Sequence, residues 1–195
     1  GCTTQDQPAP ESSKVKSPEF IRVTGIPDEN PTELQRKNAV LVEYLSQELG
    51  TPVKYVPVTD YGAAVQALSA GQIDFAWLGG FTHVQARTMS EAIPLTMRAI
   101  DRDFKSAFIA HHESGVEKVE DLKGKTIAFG SKSSTSGHLM PRHFLLSQFQ
   151  IDPSKDLASE PVFSGAHDAT AKVVESGKVA VGALNKQVWD RMVSE

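Results

Sequence analysis

The chain has 195 residues, 39% hydrophobic and 23% charged, a globular composition long enough for one large domain or two small lobes. Its formal net charge of -4 excludes the basic bias that a nucleic-acid partner requires, yet a small anion held by local donors remains compatible with it. No apolar run approaches the roughly 18 residues of a membrane-spanning helix, and the single cysteine, Cys2, excludes an intrachain disulfide.

Cys2 follows Gly1 at the head of a polar stretch, residues 3–18, rich in Ser, Pro, Gln and Lys, which reads as a flexible tether. A Gly-Cys pair there resembles the end of a bacterial lipoprotein signal, so Cys2 is expected to carry a lipid anchor; the alternative is a stray cysteine. From residue 20 onward, short apolar runs alternate with amphipathic segments, the pattern of an α/β protein with parallel strands. Residues 20–26 read as the first strand. A helix is expected to start at Thr32, with Gln35 at capping-box spacing and Leu34, Leu41, Leu45 and Leu49 at helical period, and to stop at Gly50 and Pro52.

A strand at 53–58, a helix at 61–70, a buried strand at 73–78 and a helix at 81–89 follow. Residues 94–100 read as a strand that passes through the charged turn Asp101-Arg102-Asp103 into another strand at 107–110, and that turn is expected to be the crossover between lobes. The alternation then repeats: strand 125–130, helix 137–148, strand 161–164, helix 168–175, strand 179–184 and a helical tail at 186–193. The expected organisation is a tether at 1–19, a first lobe at 20–104, a second lobe at 105–184, and a hinge return with a C-terminal helix at 185–195. Two such lobes enclose a cleft, and open α/β sheets bind ligands at the carboxyl ends of their strands.

The segment 126–137 is a strand, a hydroxyl-rich loop and a helix start. At a helix N-terminus the first N–H groups lack intrahelical partners and the macrodipole is positive, so an anion placed there meets donors already aimed at it. Ser134, Thr135 and Ser136 add hydroxyls, Gly137 permits close approach, and Pro141 falls where a missing N–H costs least. The plainer alternative is that Ser136 is only an N-cap and its neighbours a polar turn. The loop lacks the Lys-Ser or Lys-Thr of a nucleotide-binding P-loop and the Gly-x-Ser-x-Gly of a nucleophile elbow.

Ser134-Thr135-Ser136-Gly137, with Phe129-Gly130 before it and Pro141 after it, resembles the ligand loop of the phosphonate and phosphite binding proteins of ABC transporters. Other pieces agree in order: Gly25-Ile26-Pro27, Thr59-Asp60-Tyr61, the run 71–79, the run 121–125, Gly165-Ala166-His167-Asp168 and Val181-Gly182-Ala183. The resemblance covers residue 20 to the end. It implies a two-lobed type II periplasmic-binding-protein fold, each lobe a mixed sheet flanked by helices, with the ligand clamped in the cleft. It also implies that the chain stops before the late elements that complete the first lobe.

Carried onto this sequence, the resemblance makes Ser134, Thr135 and Ser136 ligands of phosphoryl oxygens, Tyr61 a phenol donor from the opposite lobe, and His167 a ring N–H donor whose pKa rises beside a dianion. Read without the family, Tyr61 is a packing aromatic and His167 a capping or surface histidine. Trp77 is a cleft wall or a core residue. The position that holds a ligand ammonium in aminoalkylphosphonate binders matches Gln187, which is neutral; a desolvated ammonium without a counter-charge costs several kcal/mol. A cleft tyrosine of that family matches Phe104, so the wall there is apolar. Phosphate would bury a fourth oxygen against it at a cost of about 1 to 3 kcal/mol.

The expected ligand is therefore a small phosphorus oxyanion, phosphite first and methylphosphonate next. The resemblance implies a monomer at the periplasm or the outer face of the cytoplasmic membrane, delivering ligand to an ABC permease, with no cofactor, no metal and no catalysis. The alternative is the ligand-sensing domain of a signalling system with the same fold. His111-His112-Glu113 is read as a solvated turn, because adjacent residues on a strand point to opposite faces. His167-Asp168 with Ser134 lacks the elbow of a hydrolytic triad.

Overall fold

The computed structural model describes residues 18–194, so Cys2 and the tether lie outside the described residues. In the first lobe β1 (Ile21–Gly25) lies between β2 (Val53–Tyr55) and β3 (Phe75–Trp77), all parallel. A mixed sheet was expected in each lobe; this one is purely parallel among the described residues. The cause is connectivity: α1 (Pro31–Leu49) and α2 (Tyr61–Ser69) are crossovers that return the chain in the same direction. Helix α3 (Gly80–Ser90) follows β3.

Three local expectations are corrected. Helix α1 is capped by Asn30, not Thr32: the Asn30 side chain accepts the Glu33 N–H at 3.0 Å, and Pro31 sits where no N–H is needed. The apolar run at 73–78 is not a buried strand. Only Ile73 is buried in it, while Phe75 and Trp77 on edge strand β3 are 46% and 41% exposed. Residues 94–100 form no strand, since no neighbouring strand offers them a ladder. The chain instead closes into a 3-10 turn, Ala99–Asp103, pinned by the Arg98 guanidinium on the Asp101 carboxylate at 2.7 Å.

The second lobe has strand order β4-β7-β5-β6: β4 (Ser106–Ala110) is antiparallel to β7 (Val181–Asn185), while β5 (Ile127–Phe129) runs parallel to β7 and to β6 (Val162–Phe163). Alternate residues serve two cores. Ile127, Phe129, Val181 and Ala183 pack with Leu122, Leu145 and Ile151 on one face, and Ala128 and Leu184 with Ala171 and Val174 on the other. Each large side chain so buried contributes about 1.5 to 3 kcal/mol. Gly182 lets α5 (His167–Glu175) approach β7, because a Cβ there would lie 2.7 Å from both Thr170 and Val174.

Helix α4 (Met140–Phe149) does not begin at residue 137 but continues a π turn, Thr135–Leu139. Helix α6 (Lys186–Met192) follows β7 and rests on α5, β7 and β4. Its first N–H donates to the Lys105 carbonyl at 3.0 Å, so the outgoing and returning chains run side by side.

Candidate anion-binding site

The loop after β5 is built from its own hydrogen bonds. Ser134 adopts an extended N-cap conformation and its Oγ accepts the Gly137 N–H at 2.9 Å. Leu139 N–H donates to the Ser134 carbonyl at 3.0 Å and Met140 N–H to the Thr135 carbonyl, the five-residue spacing of a π turn. Pro141 explains part of this. It has no N–H to offer the Gly137 carbonyl, which instead accepts the Gly130 N–H at 2.9 Å and ties the two ends of the loop together. The Thr135 and Ser136 N–H groups precede the first turn and so lack intrahelical acceptors.

His138 braces the loop from behind. A carbonyl only accepts, so His138 Nδ1 carries the proton that it donates to the Lys132 carbonyl at 2.8 Å. Its ring lies between Phe129 and Phe163, 5.0 and 4.8 Å away, and burial pulls its pKa down. Sequence reasoning did not mark this residue; the signal was a histidine at the first turn of an anion-binding loop.

His167 opens α5 and is 3% exposed. The Asn185 N–H donates to its Nδ1 at 3.3 Å, which leaves the ring proton on Nε2. Burial pulls the imidazole down to about 4, opposed by the charges of Glu29 and Asp168, so the group is neutral in the protein without ligand rather than raised. Gly137 packs against the same ring: a Cβ there would meet Ser134 Oγ at 2.9 Å and His167 Cε1 at 3.1 Å. Asp168 does not orient the ring as in a triad. Its Oδ2 faces Lys172 at 3.8 Å, and its Oδ1 has no partner among the described residues.

The first lobe meets this loop at several points. Tyr61, at the start of α2, is 2% exposed; its hydroxyl sits beside Ser134 and makes no hydrogen bond of ordinary geometry among the described residues. Burial, then the charge of Asp28, raises its pKa, so the phenol stays protonated and able to donate. Thr135 Oγ1 accepts the Phe81 N–H from the start of α3 at 2.9 Å. The Asp28 carbonyl accepts the His167 N–H at 2.8 Å, and Glu29 beside it bonds Lys37 at 2.8 Å and pairs with Arg191 of α6. Phe81 and Asp28 were not anticipated, although Asp28 directly follows the Gly25-Ile26-Pro27 run that carried part of the resemblance.

Phe104 lies where the chain leaves the 3-10 turn and is 40% exposed. With Phe108, Met140 and Phe144 it walls a cavity of about 470 Å³ whose polar side includes Thr135 and Ser136. Gln187 lies in the first turn of α6, its Nε2 donating to the Ile100 carbonyl at 3.4 Å. Trp77 is not a core residue. It is half-exposed on β3 with the Arg98 guanidinium 5.4 Å from its ring centre, and it is not among the residues lining that cavity. At the far end of β4 the ligand-capable atoms of His111, His112 and Glu113 lie within 4.8 Å of one another, closer than strand alternation predicts, because the strand ends at Ala110 and a turn takes over.

Tyr61 from the first lobe and His167 from the second therefore stand against one hydroxyl-rich loop, and the chain as a whole is similar to known proteins. Residues 23–195 match the family described as ABC transporter, phosphonate, periplasmic substrate-binding protein. A probable ABC transporter phosphite binding protein of Prochlorococcus marinus is 38% identical over 92% of this chain and 62% of its own length. A phosphate-import protein of Mycolicibacterium smegmatis is 28% identical over 100% of this chain and 64% of its own. The solved structure of the Prochlorococcus protein in complex with methylphosphonate superposes with a TM-score of 0.85 at 37% identity, over 91% of this chain and 67% of that one, and establishes the two-lobed type II fold. This chain spans less than two thirds of the length of both curated relatives. It belongs to the family of periplasmic substrate-binding proteins of ABC phosphonate transporters.

Proposed function

We propose that this protein captures a small phosphorus oxyanion in the periplasm for import, binding phosphite best, methylphosphonate next, phosphate less well and 2-aminoethylphosphonate poorly. The observation that carries the reading is the convergence on one loop of Tyr61, with its unpartnered buried hydroxyl, and of His167, with its ring proton on Nε2. Ser134, Thr135 and Ser136 bring hydroxyls to the same place, Thr135 and Ser136 add N–H groups that lack intrahelical acceptors, and Gly137 keeps the approach open. The aromatic wall at Phe104 suits a ligand with one substituent on phosphorus that forms no hydrogen bonds, a P–H or a methyl. At Gln187 the charge needed by an ammonium group is absent.

The phosphite and methylphosphonate named for the Prochlorococcus relative support the same ligand class. In this reading the protein is a monomer that hands its ligand unchanged to an ABC permease, with Cys2 as its lipid anchor. A thermal-shift panel of the four ligands tests it. At about 100 times its dissociation constant a ligand stabilises by about 2.7 kcal/mol. Tight 2-aminoethylphosphonate binding with none for phosphite would overturn the ordering, and no shift with any of the four would overturn the ligand class.

A further inference from the structure

The turn that leaves β1 brings an additional ionisable group to the interface between the lobes. Asp28 is held there by its carbonyl, which accepts the His167 N–H from α5. Two cations stand near its carboxyl, and both are already engaged: Lys37 of α1 by Glu29 at 2.8 Å, and Arg98 by Asp101 at 2.7 Å. Among the described residues no ion pair reaches the Asp28 carboxyl itself. Its charge acts instead on two phenols, Tyr61 of α2 and Tyr55 of β2, and it shares its turn with the carboxylate of Glu29. From the second lobe the His167 N–H reaches its backbone carbonyl at 2.8 Å, and the His167 imidazole, held neutral by burial, supplies no counter-charge.

We propose that Asp28 is the proton acceptor of the binding site: the cleft takes its oxyanion together with one proton, which moves from solvent to the Asp28 carboxyl. The inference rests on the ligand class proposed above. Its physical cause is the placing of a second negative charge beside a part-buried carboxylate without a counter-ion of its own. Burial and the neighbouring Glu29 already push this carboxyl up to about 6, with Lys37 and Arg98 opposing. A bound dianion adds repulsion of the same sign, so protonation of Asp28 and ligand binding favour one another. Such a site binds more weakly as pH rises, by up to about tenfold per pH unit where the empty carboxyl is ionised.

The test is calorimetric titration of the full chain with phosphite and with methylphosphonate at about pH 8, where the empty carboxyl is ionised, in two buffers of different ionisation enthalpy. Wild type is expected to take up a measurable fraction of a proton per ligand, up to one, and Asp28→Asn to take up almost none, with a flattened pH profile of affinity. Uptake that persists in Asp28→Asn puts the proton on the ligand or on His167 and overturns the proposal. Carboxyl carbon-13 NMR of wild type reads the same group without a substitution: the Asp28 midpoint must move upward when ligand is added, and an unmoved midpoint is equally fatal. Binding without proton uptake by wild type sinks this inference alone, whereas no binding of either probe sinks the ligand class with it.

Discussion

Replacing Gly137 by alanine puts a methyl group 2.9 Å from Ser134 Oγ and 3.1 Å from His167 Cε1, so one of those side chains must yield. If Ser134 turns away, the cap on the Gly137 N–H is lost, at about 1 kcal/mol. If the imidazole shifts, its bond to the Asn185 N–H and its packing go with it, and overpacking of this kind costs about 1 to 3 kcal/mol. A melting temperature lower by about 2 to 4 °C per kcal/mol is expected for a chain of this size. Affinity should fall further than stability alone implies, because both displaced groups are proposed ligand donors. Misaligning one charge-assisted hydrogen bond costs about 1.5 to 3 kcal/mol, or about 10- to 150-fold in Kd. The assay pairs urea unfolding with calorimetric titration of phosphite, using Gly182→Ala as the control. That methyl also clashes, at 2.7 Å, but against Thr170 and Val174 where α5 packs on β7, so it should cost stability and leave affinity nearly unchanged. A Gly137→Ala protein that loses stability as the control does yet keeps its phosphite affinity would refute the idea that this contact shapes the site.

Two further outcomes follow from the same geometry. His167 is held neutral in the fold, with its pKa lowered from 6.5 to about 4, so the unfolded chain binds the extra proton; the stability present above 6.5 is lost as pH falls toward 4. That loss, about 3 kcal/mol at most, should shrink in His167→Gln when unfolding is compared at the two ends of the window. Phe104→Tyr restores a hydroxyl to the aromatic wall and should improve phosphate relative to phosphite by about 1 to 3 kcal/mol, read as the ratio of the two Kd values; an unchanged ratio would remove Phe104 from the site.

Much of the fold was legible because it is written at short range. Short apolar runs such as Ile127 to Phe129 and Val181 to Asn185 announce strands, Gly50 stops α1, and the hydroxyl-rich loop announces a capped helix start, although the cap is Ser134 rather than Ser136. Errors arose where two local signals compete or where a partner is needed. Thr32 and Asn30 both offer caps, and Pro31 decides for Asn30 by filling the first helical position. Residues 94–100 have strand composition but no ladder to join. The π turn is invisible to a helix pattern, because it depends on Pro141 releasing a carbonyl that Gly130 then claims.

Residue types and their order thus determined the two-lobed α/β architecture and the hydroxyl loop that resembles an oxyanion cradle. Which nitrogen of His167 carries its proton, that the Tyr61 hydroxyl is buried beside Ser134 without a hydrogen-bond partner among the described residues, and that the Asp28 carbonyl meets the His167 N–H were decided only in three dimensions. Each depends on groups far apart in the chain, such as the Asn185 N–H on the His167 ring or the Asp28 carbonyl on the His167 N–H. A pattern along the backbone records which donors exist; packing decides which of them are already used and which remain for a ligand.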